Sequence, residues 1–460
     1  MPPPFPLPRY AWLVVGLLWV VAMLNYLDRL MITSMREWIV ADIPMSDARF
    51  GLLTSMFLWI YGLVSPVGGF LADRYSRKWV IMVSLAVWSG MTWLTGHMHS
   101  FESLLLARAV MGISEACYIA AALALIADYH TGTTRSFATG LHQSGLYAGA
   151  ALGGAGGWIA ADHGWRAAFT VFGAVGVVYS IILLLTLRDR ENPPRTGLAQ
   201  ENSRISVGAA VKELAASRSF WALIVYIGLA GTAFWLINGW LPTFLQEKFA
   251  GWRPSGIWAT YLPSAWVAKL EISRGSAGFW ATGPVQAASF LGILAGGAMA
   301  DRWTLTNPRG RMFIPMVGFI CAGPCLFLLA NTSSFAVALA AMVVFGVGRG
   351  FADANLMPIV CQIIDPRYCA TAYGLLNFVS VSVGGAMIYV GGWLRDQQVG
   401  LSLPFMVAGA GLFGAGLMLI AVRPKASTRR RVSSAGSVRS SPNSTTTASG
   451  RPTRCGNGRS

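Results

Sequence analysis

The sequence predicts an all-α polytopic membrane protein, with twelve transmembrane helices arranged as two six-helix bundles. Three observations point there: long apolar runs recur from end to end, short polar breaks separate them, and a short motif recurs six spans later. Of 460 residues, 54% are hydrophobic and only 12% charged, whereas a soluble domain carries charge on about a quarter of its residues. A run of about 20 apolar residues, rising about 1.5 Å each, crosses a hydrocarbon layer of about 30 Å.

The elements follow in order. The proline-rich start, Met1–Tyr10, carries one charge, Arg9. The apolar run behind it is long enough to span, so it reads as a retained first helix and not as a cleaved signal. The first half then gives spans Ala11–Thr33, Phe50–Ala72, Trp79–Gly96, Ser103–Ala127, Ser136–Ala160 and Ala167–Leu187. The second gives Phe220–Phe244, Gly278–Ala300, Phe313–Leu329, Phe335–Ile364, Thr371–Leu394 and Leu403–Val422. Breaks after even-numbered spans hold Arg74, Arg77 and Lys78, then Arg135, then Arg302, Arg309 and Arg311, then Arg367. The break after span three has His97, His99 and Glu102 but no lysine or arginine. The exception is a long, Trp-rich excursion, Glu247 to Ser276, with Lys248, Arg253, Lys269 and Arg274. By the positive-inside bias both termini lie in the cytoplasm, and the protein is a multi-pass resident of a plasma (bacterial inner) membrane.

The domain reading is therefore 1–187 for the first bundle, 188–218 for a polar cytoplasmic linker, 219–424 for the second bundle and 425–460 for a tail. That tail holds one lysine, seven arginines and no acid, so eight of the net sixteen positive charges sit there. Its Ser/Thr/Gly/Arg composition predicts disorder beside anionic lipid, which explains the basic balance without nucleic acid. The six cysteines, at 117, 321, 325, 361, 369 and 455, form no close CxxC pair and read as small packing residues, with neither zinc nor disulfides.

Gly68–Tyr75 (GGFLADRY) recurs as Gly296–Trp303 (GGAMADRW), 228 residues later. A second echo pairs Arg135-x-x-Ala138-x-Gly140 with Arg367-x-x-x-x-Ala372-x-Gly374, offset 234 at the glycine. Both copies keep the same sidedness, so the halves are parallel repeats, with a substrate site expected between them. At Gly69-x-x-x-Asp73-Arg74-x-x-Arg77-Lys78 the chain resembles the major facilitator superfamily over roughly residues 10–424. That resemblance implies two bundles rocking about a central site. A finer resemblance, at Leu24-Asn25-Tyr26-Leu27-Asp28-Arg29 and Arg108-x-x-x-Gly112-x-x-Glu115-Ala116, is to the anion:cation symporter branch of sugar-acid importers and vesicular anion carriers. It implies that Asp28, Arg29, Arg108 and Glu115 form the proton-coupling and anion-binding cluster. The span-four continuation Cys117-Tyr118 departs from many branch members, and the same stretches also look like spinster-type lipid carriers.

An ionisable side chain at mid-membrane costs several kcal/mol unless paired or wet, so each is a functional candidate. Arg108 and Glu115 are seven apart, two helical turns, and share a face with Gly112 between them. Asp28 and Glu115 are the expected proton carriers. Arg29 and Arg108 are the expected partners of a substrate carboxylate, because a guanidinium matches that group and keeps its charge. The competing reading of Arg108 and Glu115 is a structural bridge. In the second half Arg349 and Asp353, four apart, form a charge pair that either joins the site or satisfies itself. Tyr61, His142, Gln143, Asn238, Gln286 and Asn377 are polar positions in apolar runs and candidate substrate contacts, with interhelical hydrogen bonding the alternative for each. Asp73, Arg74, Arg77 and Lys78, with Asp301 and Arg302 as the weaker copy, are expected to latch the cytoplasmic gate.

No Walker loop, GxSxG, HExxH or metal-spaced His/Cys cluster occurs, so an enzyme, an ATP-driven pump, a metal and a cofactor are all unexpected. The expected function is proton-coupled symport of a small anionic, carboxylated solute, such as a sugar acid, by a monomer in a lipid bilayer. The alternatives are a spinster-like carrier of lipid or amphiphile, and a nontransporting membrane sensor on the same scaffold.

Overall fold

The computed structural model describes residues 8–130, 134–189, 207–255, 261, 263–365 and 368–424. The basic tail, Arg367 and residues 190–206 of the expected linker lie outside the described residues. The helices are α1 (Pro8–Ser34), α2 (Arg36–Asp42), α3 (Asp47–Arg74), α4 (Arg77–Thr95), α5 (Phe101–Tyr129), α6 (Arg135–Gly153), α7 (Gly156–His163) and α8 (Trp165–Thr186). Then come α9 (Val207–Ala216), α10 (Arg218–Phe249), α11 (Ser264–Leu270), α12 (Arg274–Thr304), α13 (Gly310–Asn331), α14 (Phe335–Ile363), α15 (Cys369–Asp396) and α16 (Ser402–Ala421).

Serine defines many of the starts. The side chains of Ser46, Ser76, Ser100 and Ser217 accept the backbone N–H three residues on, and Ser273 exchanges bonds with Ser276 in a capping box. Prolines 66, 242, 284, 315, 324 and 358 fall inside helices, which is tolerated where packed neighbours replace the lost backbone bonds. Ten helices are long and apolar enough to cross a membrane by length and composition. The third and fifth expected spans fall outside that set for identifiable reasons. Helix α4 opens on Arg77 and Lys78, and the fifth span is broken into α6 and α7 around Gly154 and Ala155. With these two, the chain has its twelve spans.

The packing repeats between the halves. In the first, α3 packs on α5, α4 on α5 and α8, and α1 on α6; in the second, α12 packs on α14, α13 on α14 and α16, and α10 on α15. Each pair of the second half is the six-span counterpart of one in the first. Across the halves, α3 packs on α15, and α6 with α7 packs on α12, again as counterparts. Two elements differ from the sequence reading in detail. The expected linker contains helix α9, and the described parts of the 247–276 excursion fold back on the second half. Gly251 N donates to the Ile272 carbonyl, and Ile272 N to that of Trp252, both at 2.9 Å. The Trp252 ring meets those of Trp280 and Phe335.

The halves meet at the end of the molecule distal to the termini. Gly154 lies against Gly278 so closely that a Cβ on either would collide with the other's backbone, which explains glycine at the break between α6 and α7. Thr282 Oγ1 donates to the Ala151 carbonyl across this seam at 3.2 Å. The second seam runs from Gly392 against Asp47 to Gly62 against Phe378 and Val381. Two turns beyond Gly62, a Cβ on Gly69 would meet open space, as it would on Gly140 and Gly374. The glycine contacts between the halves thus lie toward the distal end.

Candidate functional site

At the middle of the first half the structure brings together Asp28, Arg29, Arg108 and Glu115. Helix α1 places Asn25, Asp28 and Arg29, and α5 places Arg108 and Glu115. Arg29 Nη2 donates to Glu115 Oε2 at 2.8 Å, and Asn25 Nδ2 donates to the same oxygen at 2.9 Å. The Arg29 and Glu115 side chains are 3% and 0% exposed, so this ion pair is fully inside protein. Arg29 also sits over the rings of Tyr26, Phe57 and Tyr61, 4.6 to 4.7 Å from their centroids. Arg108 lies over the other side of the group, 4.8 Å from the Phe57 centroid, with Nη2 3.4 Å from the Arg29 carbonyl. Asp28 Oδ2 accepts from Thr92 Oγ1 of α4 at 3.2 Å.

Two acids and two guanidinium groups sum to zero charge, yet the set is not internally satisfied. Asp28 Oδ1, Glu115 Oε1, Arg29 Nε and both Nε and Nη1 of Arg108 find no hydrogen-bond partner among the described residues. A buried charged group left short of partners costs more than the 1–3 kcal/mol typical of a neutral one.

The other expected contacts are distributed differently. Tyr61 is buried on Arg29, and so joins the cluster as a ring under the guanidinium. His142 is fully buried, and its Nε2 lies 2.9 Å from the Tyr118 hydroxyl, which donates to the Leu18 carbonyl at 2.9 Å. His142 therefore belongs to the α1–α5–α6 packing. Gln286 is 2% exposed and Gln143 half-buried, each with Oε1 lacking a partner among the described residues. Asn238 is half-buried and donates to the Phe234 carbonyl one turn back at 2.8 Å. Asn377 is half-buried on α15.

In the second half, α14 carries Arg349 and Asp353, with Arg349 Nε 3.5 Å from Asp353 Oδ2. A residue that sequence reasoning missed completes this group. Tyr147 of α6, in the first half, donates its hydroxyl to Asp353 Oδ2 at 2.8 Å.

Several charges at the terminal end pair within their own halves. Arg77 pairs with Asp128 and bonds the Ala124 carbonyl at 3.2 Å. Lys78 Nζ bonds the Leu184 carbonyl at 2.8 Å, and Asp301 pairs with Arg311 at 2.6 Å. Arg74 and Arg302 are exposed, and the Asp73 side chain lies outside the described residues. Ion pairs that cross the halves instead occur at the distal end. Asp47 of α3 pairs with Arg36 and with Arg395 of α15, the latter at 2.9 Å, and Arg395 also holds Glu247 at 2.7 Å. Asp396 accepts the first N–H groups of α3, those of Asp47 and Ala48, at 2.8 and 3.0 Å. Glu37 pairs with Arg274 at 2.7 Å.

A polytopic helical chain of two repeated halves, joined by ion pairs at one end and holding a buried charge cluster in the first half, has the construction of a transporter. The sequence pattern of the Major Facilitator Superfamily matches residues 18–387 and 254–452, and the chain belongs to that family. It is similar to "Protein spinster homolog 1" of Xenopus tropicalis, 28% identical over 417 residues, covering 87% of this chain and 76% of the relative. It is also similar to "Probable sulfoacetate transporter SauU" of Cupriavidus necator, 25% identical over 419 residues, covering 88% and 92%. Among solved structures it shares its fold with a bacterial homologue of the human lysosomal transporter spinster in an inward-facing, unoccupied conformation. There the TM-score is 0.69 at 22% identity, covering 90% of this chain and 95% of that one.

Proposed function

We propose that this transporter moves a carboxylated small solute together with protons, by alternating access. The observation that carries the reading is the Arg29–Glu115 pair, with Asn25, Asp28 and Arg108 around it and several of their polar atoms unpaired. Protonating Glu115 or Asp28 removes one negative charge from a set that sums to zero, and the surplus guanidinium charge then favours an anion. Loss of the proton restores the internal pair and expels the anion. Proton and substrate are thereby linked through one shared arginine. A relative named as a sulfoacetate transporter supports an anionic substrate.

In this reading the distal ion pairs are the closed outer gate and the end that carries the termini faces the cytoplasm. The loading of both termini with basic breaks supports that orientation. A second reading, an amphiphile carrier, is favoured by similarity to spinster homologues and by the rings of Tyr26, Phe57 and Tyr61 around Arg29. Uptake into proteoliposomes separates the two. Labelled sugar acids, amino-sugar acids, neutral sugars and lysolipids are offered with and without an inward proton gradient. Gradient-stimulated uptake of the acids alone is expected; equal transport of neutral sugars or lysolipids would discard the anion assignment.

A further inference from the structure

Arg29 and Arg108 are poorly placed to receive a ligand in this conformation. Arg29 is closed by Glu115 and three rings, and Arg108 is 1% exposed. Arg349 differs. Its side chain is 12% exposed and that of Asp353 33%, and Tyr147 of the other half reaches the pair. Its guanidinium lies over Phe234, 4.6 Å from the ring centroid, with the Tyr147 ring at 5.9 Å on the opposing half. Its contact with Asp353 is long, at 3.5 Å, and neither Nε nor Nη1 has a hydrogen-bond partner among the described residues. Asp353 Oδ2, meanwhile, is taken by the Tyr147 hydroxyl. The arrangement leaves a planar cation short of an acceptor and beside it a carboxylate whose donor comes from the other half.

We propose that Arg349, Asp353 and Tyr147 form the docking subsite for a hydroxy-carboxylate, an inference that rests on the anion-transport reading above. The substrate carboxylate accepts from the Arg349 guanidinium, which offers paired donors in a fixed plane. A hydroxyl on the substrate donates to Asp353 and replaces that of Tyr147. Docking therefore exchanges a bond between the halves for bonds to the cargo. Phe234 supplies the flat wall against which the guanidinium is held. The second-half subsite then receives the carboxylate in this conformation, ahead of the shared arginine of the first-half cluster, and one proton loaded on the neutral set balances one carboxylate.

The test uses the full chain in proteoliposomes, with counterflow of galacturonate and of galactose as the carboxylated and neutral probes. Arg349→Gln is expected to raise the half-saturation concentration for galacturonate by about 10- to 100-fold, the loss of a charge-assisted bond. Tyr147→Phe, which keeps the ring, is expected to change it less than Arg349→Gln does. Asp353→Asn is expected to weaken selection of galacturonate over its deoxy analogues. Arg349→Lys controls for folding, since it keeps the charge without the fork, and it should fall between wild type and Arg349→Gln. Wild type that ignores the carboxylate, moving galactose equally well, would overturn the anion reading and this inference with it. Wild type that selects galacturonate, with Arg349→Gln unchanged and Arg108→Gln crippled, would overturn the inference alone.

Discussion

Replacing Asp47 by asparagine should unlock the distal end. Asp47 holds two arginines at once, Arg36 from the α1–α2 corner of its own half and Arg395 from α15 of the other. The three side chains are only 13–16% exposed, so these bonds are shielded from most solvent screening. Charge-assisted hydrogen bonds contribute about 1.5–3 kcal/mol each. Asparagine keeps one neutral acceptor, and Arg395 keeps Glu247. A net loss of about 2 kcal/mol from the distally closed state is reasonable, which shifts the closed-to-open ratio about 30-fold. Spin labels at Arg49→Cys and Gln397→Cys, both exposed and on opposite halves, report the separation in a background lacking the native cysteines. The distance distribution should gain a longer component in Asp47→Asn but not in Glu102→Gln, an exposed acid on the same side. An unchanged distribution in Asp47→Asn would refute the assignment of these pairs as the outer gate.

Other substitutions probe separate parts of the account. Arg108→Lys should raise the half-saturation concentration for a carboxylated probe about tenfold or more, because lysine lacks the planar fork; initial uptake rates at graded concentrations measure it. Thr92→Val removes the hydroxyl that donates to Asp28, and should slow gradient-driven uptake while leaving substrate exchange in place, read by comparing the two assays on one preparation. Gly154→Val puts a side chain where Gly278 and Thr282 approach, and should lower the thermal midpoint of the purified protein and widen the distal distance distribution.

How much of this was legible beforehand depended on the range of the interaction. The spans showed as apolar runs, and the shared face of Arg108 and Glu115 follows from helical periodicity alone, so the first-half cluster could be named residue by residue. Tyr147 could not. It sits in a glycine-rich helix with no pattern to mark it, and its partner Asp353 is 206 residues away. The gate was expected at Asp73–Lys78 because motif and repeat both draw attention there. In the structure the cross-half ion pairs lie at Asp47 and Arg395, which in sequence are ordinary charges at helix ends, 348 residues apart. Local patterns reveal helices and faces. Which faces oppose each other across two halves is a property of the assembled state, and the conformation captured here also decides which gate is paired.

The claim on which the rest depends is that Glu115 shares an arginine with the substrate, so that proton and anion travel together. Proteoliposomes loaded with a pH-sensitive dye test it most directly. Adding a transported carboxylate outside, at equal pH and clamped voltage, should acidify the lumen of wild-type vesicles as protons enter with the solute. Glu115→Gln vesicles should exchange labelled substrate yet show no acidification. Acidification in Glu115→Gln equal to wild type would contradict the shared-arginine account.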